Sequence, residues 1–165
     1  MKALLLMFLI PILSSNAQIG FDSRIAEAVE KLQCAEPDET HPVTLNAQIV
    51  KQQDSIAVIV KCRIAPGWHI YDYVSPTLPY IAIENIFQLP QNIRSVGTWK
   101  KTASVPSAMD PGVTIYEQEA VFIHKALRLE SDTAVGGIIK TGLYYQTCNL
   151  RQCLRPVETT FSLSY

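Results

Sequence analysis

The apolar positions change period once along the chain, near residue 42. Before that point Phe21, Ile25, Ala28, Val29 and Leu32 recur at helical spacing, with Asp22, Arg24, Glu27, Glu30 and Lys31 on the opposite side. This predicts one short amphipathic helix. Pro37, Asp38 and Pro42 break it within the stretch from Cys34 to Pro42. From residue 43 the period becomes two. Val43, Leu45, Ala47 and Ile49 alternate with polar or small neighbours, and Ile56, Val58, Val60, Cys62 and Ile64 repeat the pattern after a polar turn at Gln52 to Ser55. Both segments read as strands. Pro66 and Gly67 punctuate the chain before Trp68 to Val74, and Pro76 and Pro79 precede Tyr80 to Phe87. Ile93 to Trp99, Val113 to Leu129 with an interruption, Ile138 to Thr147, and Val157 to Leu163 complete the series. In the last of these Val157, Thr159, Phe161 and Leu163 share one face. A succession of about seven or eight short strands predicts an all-β antiparallel sandwich preceded by a short helix.

Ahead of the helix, Lys2, the apolar run Ala3 to Leu13, and Ser14 to Ala17 have the three parts of a secretory signal, with cleavage expected after Ala17. The run is shorter than the ~20 apolar residues of a membrane span and contains Pro11. Removing residues 1–17 takes one Lys and no acid, leaving 148 residues and a formal charge of −2. Residues 18–40 then form the helix and its linker, and residues 41–165 the sandwich domain. The whole chain of 165 residues is 48% hydrophobic and 18% charged with a formal net charge of −1. That balance excludes a disordered chain and leaves no excess of cations for a nucleic-acid backbone. Export places Cys34, Cys62, Cys148 and Cys153 in an oxidising compartment, where thiols pair unless something reduces them.

The segment Gly142 to Pro156, GLYYQTCNLRQCLRP, carries the most chemistry. Cys148 and Cys153 can bridge if the chain turns back between them, as at a hairpin end. Closing so short a loop removes only about 2 kcal/mol of unfolded-state entropy, so a redox role gives the pair a better reason than stapling does. Arg151 and Arg155 lie two residues either side of Cys153 and in extended geometry share its face. Nearby positive charge favours the attacking thiolate, which makes Cys153 the expected nucleophile and Cys148 the resolving thiol. A plain structural disulfide in a binding module of the same fold is the alternative.

These residues resemble a known family. YYQTCNLRQCLRP followed by VETTFSL, together with the earlier APGWHIYDY, is similar to the N-terminal periplasmic domain of the thiol:disulfide interchange protein DsbD. The matching positions are Pro66, Gly67, Trp68, Ile70 and Tyr71, then Tyr145, Gln146, Cys148, Cys153 and Pro156, within a resemblance covering about residues 41–165. It implies an immunoglobulin-like sandwich whose cysteine pair takes electrons from a membrane-embedded redox donor. The pair would pass them to thioredoxin-like or disulfide isomerase proteins of the periplasm, as a protein-disulfide reductase component needing no cofactor or metal. Three departures stand out. The chain ends after the sandwich, so a separate donor is expected. The region matching the family's shielding loop, Ala103 to Val113, has no Phe or Tyr, which leaves Met109 with Asp110 as the candidate shield. The second cysteine is followed by Leu154, Arg155 and Pro156 where the family often has a double proline.

His69 and Tyr71 alternate along their strand and so share a face, which the resemblance places beside the cysteines; there they would orient a thiol or exchange a proton. Cys62 shares parity with Val58, Val60 and Ile64 and is expected to be buried, either as a small hydrophobe or paired with Cys34. His124 follows the apolar Val121 to Ile123 and reads as a core or edge histidine. A soft metal site on Cys148, Cys153 and His69 lacks a convincing fourth ligand.

Overall fold

In the computed structural model, residues 20–129 and 136–165 are described, so the expected signal peptide and its cleavage site lie outside them. The elements in order are the helix α1 (Phe21–Lys31) and the strands β1 (Val43–Gln52), β2 (Ser55–Ile64), β3 (Trp68–Tyr73), β4 (Glu84–Gln88), β5 (Ile93–Lys101), β6 (Val105–Pro106), β7 (Thr114–Tyr116), β8 (Glu119–Arg128), β9 (Ile138–Tyr145), β10 (Thr147–Asn149) and β11 (Val157–Ser164). Three antiparallel sheets result, in the orders β1-β2-β8-β5, β11-β9-β4 and β10-β3-β7-β6. The first two face each other as an immunoglobulin-like sandwich, and the third adds Trp68, Ile70 and Tyr116 to the core between them.

Strand β2 explains why the first sheet is central. Val58, Val60 and Cys62 point inward and pack with Phe122 of β8 and with Leu143 and Tyr145 of β9 or, through Ile139, with Tyr165. Ala57 and Ile59 point the other way and are also fully buried, because Ile25 of α1 and Leu32 just after it lie on them. Covering both faces turns an alternating sequence into a continuously buried strand. Each such Ile or Val contributes ~1.5–3 kcal/mol relative to remaining exposed. Two cationic side chains fix the helix: Lys125 Nζ meets Asp22 at 2.6 Å near its start, and Lys61 donates to the Val29 carbonyl near its end.

Cys34 and Cys62 are not bridged. The linker carrying Cys34 runs along the helix side of the sheet, where Thr44 and Asn46 donate to the carbonyls of Ala35 and Gln33, and Cys34 Sγ donates to the Lys61 carbonyl. Leu45 and Cys62 alternate with those residues and therefore occupy the opposite, inner face.

Two turns set up the third sheet. Pro66 and Gly67 occupy the middle of a turn closed by Trp68 N–H on the Ala65 carbonyl at 3.0 Å, and Gly67 takes φ +78°, which a side chain would resist. The interruption expected between Val113 and Leu129 is at Glu117 and Gln118, the latter with φ +63°. Gly142 meets a different demand. A Cβ there would stand 2.0 Å from the Thr159 carbonyl oxygen, so only glycine lets β11 close on β9 just before the cysteine segment. The fourth predicted strand is shorter than expected. Tyr80 to Ile83 form no strand because their backbone bonds elsewhere: Ile81 N–H goes to the Gln146 side chain and Ile83 N–H to the Tyr71 carbonyl.

Candidate functional site

The exposed end of the third sheet gathers the cysteines. Strand β10 pairs with β3 so that Cys148 stands opposite His69, and the chain then turns over residues 149–152 and returns Cys153 against Cys148. Asn149 makes the turn: its Oδ1 accepts the N–H groups of Arg151 at 2.8 Å and Gln152 at 2.9 Å. This is the local competition of an Asn side chain with extended backbone that favours turns. It also corrects the expected placement of Arg151, which lies in the turn and not on a strand face shared with Cys153; Arg155 lies beyond it, and both are exposed. Cys148 and Cys153 form a disulfide of sequence separation 5. The two sulfurs have different surroundings. Cys148 is 1% exposed, packed with Tyr71, Val113 and Ile115, whereas Cys153 is exposed.

Alternation along β3 sorts its side chains between two tasks. Trp68 and Ile70 enter the main core, while His69 and Tyr71 face the cysteines with their rings 5.1 Å apart, edge to face. The Tyr71 hydroxyl lies 3.9 Å from Cys153 Sγ and is the donor, since a disulfide sulfur carries no hydrogen. Burial pushes the Tyr71 phenol up to about 12, with the neighbouring Tyr80 and Asp110 acting in the same direction, so it stays protonated across the neutral range. Burial holds His69 below its ordinary value against the opposing pull of Glu117 and Asp110, and its Nε2 is buried with no partner. An imidazole in that state is neutral at pH 7 and has a vacant acceptor or donor position. Asp72, on the other face of β3, fixes the strand by accepting from Ser104 Oγ at 2.7 Å and Tyr116 Oη at 2.8 Å. Burial raises its carboxyl, and those bonds with the Lys101 charge outweigh the burial and hold it below the usual range.

The family resemblance implies Met109 with Asp110 as the shield. Ser107 Oγ accepts the N–H groups of both residues and forms a tight turn that leaves Met109 65% exposed, while Asp110 accepts from the Tyr80 hydroxyl at 3.4 Å. The aromatic cover comes from the segment before β4. Tyr80 stacks on Tyr71 with ring centroids 4.8 Å apart and 9° between planes, and Val74 and Leu78 pack beside them. Tyr80 was legible only as a strand residue, because nothing in its local pattern says that the loop folds back over β3. Gln146 joins the two halves of the site. Its Oε1 accepts Ile81 N–H at 3.0 Å and its Nε2 donates to the Leu154 carbonyl at 3.3 Å.

His124 belongs elsewhere. It is buried in the sandwich between Phe87 and Trp99 with Nε2 2.6 Å from Ser95 Oγ, which makes it a core histidine. The sulfurs of Cys148 and Cys153 are committed to the disulfide, and among the described residues no group of three His, Cys, Asp or Glu side chains is arranged to hold a metal ion.

No protein-family model and no curated protein matches the chain. Among solved structures it is similar to the N-terminal periplasmic domain of ScsB from Proteus mirabilis, at 24% identity and a TM-score of 0.48 over 79% of this chain and 49% of that one. It is also similar to the DsbD n-terminal domain of Neisseria meningitidis in the reduced form, at 22% identity and a TM-score of 0.46 over 73% of this chain and 85% of that one. The GAE domain of GGA2p from Saccharomyces cerevisiae follows at 7% identity and a TM-score of 0.43, covering 79% and 96% of the two chains. The chain spans about half the length of the ScsB structure it matches. These likenesses describe the fold.

Proposed function

We propose that this chain is an exported, periplasmic thiol–disulfide exchange domain that passes reducing equivalents through Cys148 and Cys153 to protein disulfides. The observation that carries the reading is the asymmetry of the bridge, with Cys148 buried at 1% exposure and Cys153 exposed. Such a pair offers one sulfur to a partner and keeps the second in reserve, which an inert staple does not require. In the donating direction the Cys153 thiolate attacks one sulfur of the partner's disulfide and forms a mixed disulfide, while the partner's other sulfur leaves as a thiolate. Cys148, as thiolate, then attacks Cys153, re-forms the internal bridge and releases the partner with both sulfurs reduced. Two electrons leave this domain in each cycle, and a membrane-embedded donor resupplies them.

The surrounding residues divide the work. The Tyr71 hydroxyl donates to the Cys153 sulfur and stabilises it as a thiolate, and the exposed Arg151 and Arg155 add favourable charge nearby. His69 stands opposite Cys148 with a neutral ring and a free nitrogen, and takes the proton that Cys148 must lose before it resolves the mixed disulfide. The partners that fit are proteins presenting an accessible disulfide, of the thioredoxin-like or disulfide isomerase kind. Equilibration with glutathione redox buffers tests the reading. A working couple has a potential above the ~−300 mV of inert structural bridges, and a value well below it assigns the bridge a structural role.

A further inference from the structure

The chain leaves the site by two routes, one through the hairpin arm that follows Cys153 and one through the loop that carries Tyr80. Gln146 is bonded to the first residue beyond each: to Leu154, next to Cys153, and to Ile81, next to Tyr80. Its own place is two residues before Cys148, so the bond from Nε2 to the Leu154 carbonyl crosses the base of the cysteine hairpin from one arm to the other. A backbone bond from Leu154 N–H to the Thr147 carbonyl at 2.9 Å lies beside it, and a second from Asn149 N–H to the Gln152 carbonyl at 2.9 Å lies nearer the turn. The other half of the carboxamide, accepting Ile81 N–H, prevents the side chain from rotating away.

We propose that Gln146 is a positioning residue that sets the redox poise of the Cys148–Cys153 pair by holding the two arms of the hairpin together when the sulfur–sulfur bond is open. In the oxidised protein the disulfide already fixes the arms, so the clamp bond forms with no further ordering. In the reduced protein the same bond must also order the hairpin, so it is worth less there. A bond that is stronger in one state than in the other shifts the equilibrium toward the first, and here that is the disulfide. The same statement in kinetic terms is that the clamp raises the effective concentration of one thiol at the other. Loss of the clamp therefore makes the disulfide easier to reduce.

This inference rests on the exchange function proposed above, and its test separates the two. The measured quantity is the equilibrium constant for protein disulfide plus two glutathione going to protein dithiol plus glutathione disulfide, determined for the wild type, Gln146→Leu and Gln146→Glu. Leucine removes both bonds. Glutamate keeps an acceptor for Ile81 N–H and, as a carboxylate, loses the donor to Leu154. Both variants are expected to shift the constant toward the dithiol by about threefold to fivefold, the factor that a hydrogen bond of ordinary net strength is worth when it is expressed mainly in one state. A merely structural bond would stabilise the oxidised and reduced folds alike and leave the constant unmoved while lowering both melting temperatures. Constants within twofold of the wild type for both variants, or a shift toward the disulfide, overturn the proposal; if the leucine variant does not fold, the glutamate variant decides. If glutathione leaves the wild-type pair oxidised at every ratio, the exchange function fails, and the same ratio of constants measured in dithiothreitol buffers still decides for or against the clamp.

Discussion

Cys148 and Cys153 lie five residues apart and are bridged at the edge of the third sheet, whereas Cys34 and Cys62 both reach the same sheet and stay apart because they occupy its two faces. In the first pair a short, Asn-stabilised turn brings the sulfurs together, and one of them faces solvent. In the second, Cys62 is locked among Val60, Phe122 and Leu143, and burial pushes its thiol up to about 12, while Cys34 is half-buried and also raised by burial. Four cysteines in one domain therefore do not imply two disulfides. What decides is the side of the sheet on which each sulfur emerges.

The largest effect that can break this comparison is chemical reactivity. A thiol moved from 9.0 to about 12 carries roughly a thousandfold less thiolate near neutral pH, and thiolate is the nucleophile. Treating the reduced, folded protein with iodoacetamide should label Cys153 first and Cys62 at least ~1,000-fold more slowly, with Cys34 between them. Peptide mass spectrometry over time reads all three at once. Labelling of Cys62 as fast as Cys34 in the folded protein would mean that the inner face is open, and the contrast between the pairs would collapse.

Within the bridged pair the next effect is directional. With insulin as a model protein disulfide, reduced Cys148→Ser should accumulate a mixed disulfide through Cys153, and Cys153→Ser should accumulate about tenfold less or lower still, because the remaining Cys148 is buried and the attacking sulfur must be accessible. Non-reducing electrophoresis of acid-quenched samples gives the ratio. Equal trapping by both variants would show that exposure does not select the nucleophile.

How far these contrasts could be read from the sequence follows from what each depends on. The parity of Cys62 with Val58, Val60 and Ile64 announces its burial, and the stripe from Phe21 to Leu32 announces an amphipathic helix, though not the sheet face that the helix covers. Alternation also placed His69 and Tyr71 on one face. Turn chemistry at Asn149 is equally local, yet extended geometry would put Arg151 on the face of Cys153, and the Asn149 side chain defeats that geometry by taking the N–H groups of Arg151 and Gln152. The cover over Tyr71 was not legible at all. It depends on Tyr80 folding back through a loop whose hydrogen bonds go to Gln146 and Tyr71, which is a long-range fact with no periodic signature.

A smaller effect compares the two unbridged cysteines by stability. Cys62→Ser places a hydroxyl in an apolar interior and should cost about 1–3 kcal/mol. Cys34→Ser keeps a donor within reach of the Lys61 carbonyl at a half-buried position and should stay within about 0.5 kcal/mol of the wild type. Urea denaturation of the two variants supplies both values. A larger cost at Cys34 would mean that its contact with the helix side of the sheet, and not the inner core, holds that edge of the sandwich.

The smallest effect separates two histidines that share a direction of shift and differ in location. Burial lowers both His69 and His124 below the ordinary value of about 6.5 that an unfolded chain shows. Between that value and the lowered one the unfolded chain binds more protons, so each histidine's contribution is complete above about pH 7 and is lost as the pH falls through 6.5 toward the folded value. The carboxyls held low, such as Asp38 and Asp72, act in a separate window below about pH 4. The melting temperature should accordingly decline between pH 7 and pH 5, and His124→Gln should flatten part of that decline without changing the pH profile of exchange with insulin. His69→Gln should change that exchange profile as well, because the neutral ring opposite Cys148 is the proposed acceptor of its proton. The expected loss at pH 7 is about threefold or less, since hydroxide and buffer can also take the proton. An exchange profile left intact by His69→Gln would confine that histidine to the same role as His124, and would leave the Tyr71 hydroxyl as the titratable group that serves the pair.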